Sequence, residues 1–244
     1  MVATFKLHSP ETDTDYWIYV HAPARHKSRG PWPTVLFMDG DNQFADAIRG
    51  YEAMRKADAV PPLLLVGVGY GASYSQPENK RGRDYTPTHH SDEPSSGGAK
   101  AFLKFLTSTL WPELRRRYPV HPKLRGVGGH SLGSLLALYA LFQTKPFFTH
   151  YLVSGPSIWW DNRAILKQAK RLRARRTSLR AHIYLGVGGK DSESMFTDLA
   201  LLETQLAKKP FAHLRITSEC FPERTHYNTE KDTFPAGLRI LFGE

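Results

Sequence analysis

The segment Gly129-His130-Ser131-Leu132-Gly133 holds a serine with glycines two positions to either side, a spacing that suits nucleophilic catalysis. A serine hydroxyl is a poor nucleophile at neutral pH and needs a base within hydrogen-bond reach. The pentapeptide gains its meaning from its setting, because it follows the apolar run 124–128 and opens the helix-like stretch 132–143. Flanking glycines allow a sharp strand-to-helix turn that a Cβ would crowd, and such a turn lifts the hydroxyl above the sheet. The first N–H groups of that helix have no internal partner, and the helix dipole favours negative charge there. The N–H of Leu132 is therefore a candidate oxyanion donor.

With Ser131 as nucleophile in such a turn, an acid and then a histidine should follow in the chain, each in a loop after a strand. Of the 11 histidines, His213 and His226 come late enough. His213 opens a predicted strand and points away from the catalytic edge, whereas His226 sits in FPERTHYN, just past the last apolar run. His226 is read as the general base. The turn 188–193 (GGKDSE) supplies Asp191 as the first carboxylate, with Glu193 and Glu223 as competitors and helix capping as Asp191's alternative role. A carboxylate there would fix the imidazole tautomer and stabilise the imidazolium. The second oxyanion donor is read as the N–H of Asp41, within Met38-Asp39-Gly40-Asp41-Asn42, where Gly40 lets the backbone approach a substrate closely.

Further residues suggest a substrate side. Trp159 and Trp160 close an apolar run, and adjacent side chains of an extended segment point to opposite faces, so one suits a pocket and the other the core. Arg83, in RGRDYTP, could grip a carboxylate or phenolate, or pair internally with Asp84. His89 and His90, near Asp92 and Glu93, lack the i, i+4 spacing that puts two metal ligands on one helix face, so no metal is expected.

These residues need a scaffold, and the hydropathy pattern predicts one. Short apolar runs at 34–38, 63–68, 124–128, 150–153, 182–187 and 214–220 read as strands buried on both faces. Helical spacing fills 44–58, 98–118, 132–143, 162–177, 194–208 and 233–242. Strand and helix alternating in this way imply a mostly parallel sheet with helices on both faces. Residues 4–20 alternate polar and apolar around a turn at 9–13, which predicts an N-terminal antiparallel hairpin. The stretch 69–97 has no periodicity, and loops of that length are often functional.

No composition shift or linker divides residues 1–244, so one domain is expected. The 244 residues are 41% hydrophobic and 23% charged, an ordinary globular balance. The single cysteine, Cys220, cannot form an internal disulfide and is read as a buried thiol. No apolar stretch approaches a membrane span and the first residues lack a secretory core, so a cytoplasmic enzyme with no membrane partner is expected. The net charge of +10 is concentrated partly in 167–180 (KQAKRLRARRTSLR), read as a solvated basic helix. No nucleic-acid-binding signature accompanies it.

The segments MDGDNQF, RGRDYTPT, GHSLGSLLALYALF, SGPSIWWDN, GVGGKD and ERTH together resemble the putative-esterase family of α/β-hydrolases, which includes siderophore trilactone esterases, S-formylglutathione hydrolases and feruloyl esterases. The resemblance spans nearly the whole chain and implies the α/β-hydrolase fold. It further implies ester hydrolysis through an acyl-enzyme on a small-molecule ester, without metal or cofactor. It looks closest to the small branch with siderophore esterases, some of which work with serine and histidine alone. This chain departs from the family at Lys190-Asp191, where relatives often carry Glu, which leaves a dyad open. It departs again at Arg224, where they often carry an acid two before the histidine. Acyl transfer at the same site and a non-catalytic binding role are the competing functions.

Overall fold

The computed structural model describes residues 2–23 and 30–243. The alternating N-terminal pattern forms a hairpin of β1 (Val2–Ser9) and β2 (Thr14–His21), in register from Val2 opposite His21 to Ser9 opposite Thr14. Its turn is held by the Thr12 N–H donating to Ser9 Oγ at 3.2 Å. Tyr16, Ile18 and Val20 point inward from β2 and are buried, which is the period-2 pattern of a sheet packed on one face.

Six further strands complete one sheet: β3 (Trp32–Phe37), β4 (Leu64–Gly69), β5 (Val120–His130), β6 (His150–Ser154), β7 (Ser178–Gly188) and β8 (Ala212–Phe221). Their order is β1-β2-β4-β3-β5-β6-β7-β8, with β1 and β2 antiparallel and β3 to β8 mutually parallel. Every residue of β4 and β6 is buried, as expected for parallel strands covered on both faces. The helices are α1 (Phe44–Lys56), α2 (Arg81–Asp84), α3 (Ala99–Lys104), α4 (Trp111–Arg117), α5 (Leu132–Leu141), α6 (Trp160–Arg175), α7 (Glu193–Lys208) and α8 (Glu230–Phe242). One face of the sheet packs Val35, Phe37 and Leu152 against α1 and α8 residues such as Tyr51, Phe234 and Leu238. The opposite face packs Leu36, Val66 and Val127 against α3, α5, α6 and α7 through Phe102, Leu135, Leu172 and Leu202. This is the α/β-hydrolase layout.

Three expectations are corrected. β8 is not buried on both faces: it is an edge strand, and Ala212, His213, Arg215, Ile216 and Ser218 are exposed. Cys220 lies on that edge and is exposed rather than a buried thiol. The predicted helix 98–118 is continuous but not uniformly α, because a π-helical turn, Phe105–Leu110, joins α3 to α4. Pro112 lies in the first turn of α4, where its missing N–H leaves one gap in the hydrogen-bond ladder beside that turn.

The long stretch 69–97 is anchored rather than loose. Asp84, Tyr85 and Thr86 are fully buried, and Asp84 accepts hydrogen bonds from Tyr16 at 2.7 Å and Tyr70 at 3.0 Å. No helix among the described residues is long and apolar enough to cross a membrane.

Candidate active site

The turn between β5 and α5 holds Ser131 at φ 59° and ψ −119°, a conformation that a residue with a Cβ rarely adopts. The flanking glycines make it possible. A Cβ on Gly129 would lie 3.0 Å from the Gly133 backbone, and one on Gly133 would lie 3.0 Å from Met38 Cβ. The strained turn is tied down by the Ser131 N–H donating to Ser154 O at 3.0 Å. Ser134 Oγ reinforces it, donating to Gly129 O at 2.6 Å and accepting from the Ser154 N–H at 2.7 Å.

Ser131 Oγ lies 3.1 Å from His226 Nε2, and His226 Nδ1 lies 3.0 Å from Asp191 Oδ2. With the Nδ1–H donating to the carboxylate, Nε2 is left as acceptor for the serine hydroxyl. Paired glycines at the end of β7 let these loops meet. A Cβ on Gly188 would lie 2.3 Å from Thr229 Oγ1 and one on Gly189 2.4 Å from Pro222 Cα, so the segment carrying His226 packs directly on the strand end. The Lys190 N–H donates to Arg224 O at 2.8 Å, stitching the Asp191 turn to the His226 loop. Asp191 is almost fully buried at its side chain, and its other oxygen accepts the Ser192 N–H at 2.8 Å, so it does not cap α7. Of its two competitors, Glu223 is 81% exposed and bound to Lys190, and Glu193 opens α7 on the exposed side.

His130 packs against His226 with ring centroids 4.4 Å apart, and its Nδ1 lies 3.0 Å from Ser154 Oγ. Burial first, and the neighbouring His226 second, push its pKa down to about 3, so it stays neutral beside the imidazole. Ser157, in the loop after β6, puts its hydroxyl 3.2 Å from Ser131 Oγ.

The β3–α1 loop faces the serine from the other side. Asp39, itself at φ 56°, is buried and bridged by Arg81 through two bonds of 2.9 and 3.1 Å. Burial pushes the Asp39 carboxyl up and Arg81 pulls it back. The Asp41 carboxylate accepts the Tyr70 N–H at 2.5 Å, the Gly71 N–H at 3.0 Å and the Tyr19 hydroxyl at 2.6 Å, which fixes the loop. Among the described residues neither the Asp41 N–H nor the Leu132 N–H finds an acceptor. Leu132 is the first residue of α5, where that vacancy is intrinsic to the helix.

Two cavities open at Ser131 and His226. One, of about 430 Å³, is lined by Trp159, Asp191, Met195 and Thr225. The other, of about 390 Å³, is lined by Gln43, Tyr74, Arg81, His130 and Glu230. Three expected substrate contacts are displaced. Arg83 turns to the hairpin, donating to Asp84 Oδ1 at 2.7 Å and Thr14 Oγ1 at 2.9 Å, while Arg81 lines the site. The two arginines sit two positions apart on α2 and so face opposite ways. Gly40 presses on the sheet, where its absent Cβ would lie 2.9 Å from the Val68 backbone, and it lines neither cavity. Trp160 is buried beneath the 69–97 stretch, donating to Thr88 O at 3.2 Å, whereas Trp159 is 47% exposed and lines the first cavity. Trp159 takes helical rather than extended backbone angles, three residues of positive φ follow at Asp161, Asn162 and Arg163, and the two indoles lie 5.9 Å apart at their ring centroids. Sequence reasoning missed Arg81, Gln43, Ser157 and Glu230. Ser157 alone carried a signal, lying beside the tryptophans in SGPSIWW. Among the described residues no three His, Cys, Asp or Glu side chains cluster as metal ligands.

A parallel sheet carrying a serine on a strained strand-to-helix turn, with a histidine and a carboxylate in line, defines an α/β-hydrolase. The family model described as Putative esterase matches residues 9–226, and the chain belongs to that family. It is 35% identical over 158 residues to the siderophore triacetylfusarinine C esterase of Aspergillus fumigatus, covering 62% of this chain and 53% of that protein. It is 30% identical over 176 residues to the ferri-bacillibactin esterase BesA of Bacillus subtilis, covering 66% of this chain and 60% of that one. The chain therefore matches over little more than half the length of these curated relatives. The crystal structure of the BES protein from Bacillus cereus superposes with TM-score 0.89 at 25% identity, covering 100% of this chain and 95% of that one. The siderophore hydrolase EstB from Aspergillus nidulans has the same fold, with TM-score 0.85 at 23% identity over 99% of this chain and 95% of that one.

Proposed function

We propose that this protein is a serine carboxylic-ester hydrolase acting through an acyl-enzyme on a small-molecule ester. The observation that carries the reading is the hydrogen-bonded line from Asp191 through His226 to Ser131. Ser131 Oγ attacks the ester carbonyl carbon as its proton passes to His226 Nε2. The resulting oxyanion is held by the N–H groups of Leu132 and Asp41, donors worth several kcal/mol of transition-state stabilisation in comparable sites. Collapse breaks the bond to the alcohol oxygen, which takes the proton from the imidazolium. Water then adds to the acyl-enzyme with His226 again as base, releasing the acid and restoring Ser131. Asp191 keeps the imidazole in the right tautomer and balances its charge. The neutral His130 adds no repulsion to the imidazolium that forms beside it.

The likeness to a siderophore triacetylfusarinine C esterase and to a ferri-bacillibactin esterase supports a siderophore-type ester as the substrate. The exposed Trp159 suits an aromatic or acyl face of such an ester. Turnover of p-nitrophenyl and siderophore-type esters by the purified protein tests the reading. Replacement of Ser131 by Ala should abolish it by about 10⁴-fold or more with the fold intact, and a fully active variant would refute the assignment.

A further inference from the structure

Ser157 is 1% exposed, and its hydroxyl lies 3.2 Å from Ser131 Oγ, its one hydrogen-bond partner among the described residues. Its backbone holds it there. The Ser157 N–H donates to Ser131 O at 3.3 Å, and its carbonyl accepts the Trp160 N–H at 3.3 Å. Two positions earlier, Gly155 at φ 48° lets the loop after β6 run against the imidazoles, where a Cβ would lie 2.8 Å from His130 Cε1. A hydroxyl fixed against the nucleophile by this much structure has no part in the hydrolytic steps described so far.

Counting protons decides which way the bond between the two serines runs. An ionised carboxylate only accepts, so His226 Nδ1 carries its proton toward Asp191 and Nε2 is the acceptor of the resting site. Ser131 directs its only proton at Nε2, 3.1 Å away, and its oxygen is left to accept from Ser157. In the acyl-enzyme Ser131 Oγ is an ester oxygen with no proton, so Ser157 is again the donor.

We infer that Ser157 is a further catalytic residue, whose hydroxyl donates to Ser131 Oγ and supports that oxygen as the leaving group when the acyl-enzyme is hydrolysed. The inference rests on the hydrolytic reading above. Once water has added to the acyl carbon, the C–Oγ bond breaks and its electron pair passes to Oγ, which takes the proton from His226 Nε2. The Ser157 proton stays on Ser157 throughout. An ester oxygen is a weak acceptor and an oxygen gaining negative charge a strong one, so the bond from Ser157 strengthens on the way to this transition state. In acylation Oγ starts as a hydroxyl oxygen, already a good acceptor, and the gain is smaller.

The test separates the two steps with p-nitrophenyl dimethylcarbamate, which carbamoylates a catalytic serine and leaves an adduct slow enough to isolate. Release of p-nitrophenol reads the first step, and return of ester-hydrolysing activity after gel filtration reads the second, with the adduct followed by intact mass. Ser157→Ala should slow the second step about tenfold and the first by less than about threefold. Ser157→Cys fills the same space with only a weak donor and should behave like the alanine variant. Both rates within about twofold of wild type in Ser157→Ala, an equal loss in both steps, or wild-type behaviour of Ser157→Cys overturns the role while hydrolysis at Ser131 stands. No adduct at Ser131 from the carbamate or from a fluorophosphonate probe overturns the hydrolytic reading, and the inference with it.

Discussion

At Ser131 a backbone conformation with φ 59° is maintained against its cost, about 1–3 kcal/mol for such outliers, by hydrogen bonds from Ser134 and to Ser154. Asp191 is the residue whose role is most open to measurement, because related enzymes operate with or without an acid. Asp191→Asn keeps the shape but turns an obligate acceptor into a group that can present a donor to Nδ1. Steady-state kinetics should show kcat reduced by about 10²–10⁴-fold with KM little changed. A loss below tenfold would mean that serine and histidine suffice. The pairing of Ser131 with His226 was legible because glycine spacing and chain order constrain both, whereas Asp191 was one of three candidate carboxylates and only the fold brings it to His226. Arg81 was not legible, because Arg81 and Arg83 share one dipeptide context and only the direction of a four-residue helix separates the inward side chain from the outward one. Gln43 and Glu230 were invisible for a different reason: each opens or precedes a helix like any polar residue, and their burial depends on the loops that close over them.

At the scale of elements, the meeting of the β7 turn with the His226 loop depends on two positions that cannot carry a side chain. Gly188→Ala would drive a methyl into Thr229 Oγ1 and Arg224 O, at 2.3 and 2.5 Å. The expected result is an overpacking loss of about 1–3 kcal/mol in a urea titration, together with a drop in kcat larger than stability alone explains, since His226 moves relative to Ser131. Unchanged kcat would show that the loop tolerates the shift. The strands β3 to β7 were readable from continuous apolar runs, and the hairpin from its alternation. β8 was misread as buried on both faces because LRITSEC was grouped with the apolar runs, although its polar and apolar residues largely alternate; edge placement is a property of strand order that no local pattern encodes. The π-helical turn was likewise not legible: it buries Phe105, Leu106 and Leu110 within what reads as one continuous helical run.

For the molecule as a whole, buried neutral histidines couple stability to pH. His130 is pushed down to about 3 and His150 to about 4, both first by burial. The unfolded chain takes up protons at these positions near pH 6.5 while the folded one does not, so stability is full above that pH and falls as pH drops toward 4. Each histidine contributes up to about 1.4 kcal/mol per pH unit in that window. Urea denaturation at pH 7 and pH 5 should differ by roughly 2–4 kcal/mol, and equal or greater stability at pH 5 would contradict the burial of these rings. The basic stretch 167–180 runs from α6 into β7, with Arg173 and Arg176 donating to the carbonyls of Pro210 and Thr144 at 3.1 and 2.8 Å. Part of the +10 charge therefore caps neighbouring backbone carbonyls.

The central claim is that Ser131 is activated by His226 to attack an ester. Incubation with a fluorophosphonate probe, followed by peptide mass analysis beside a p-nitrophenyl ester assay, reads it directly. The account predicts hydrolysis, a single adduct on Ser131, and loss of both in His226→Ala. Labelling elsewhere, or no labelling and no turnover in a folded sample, would contradict it.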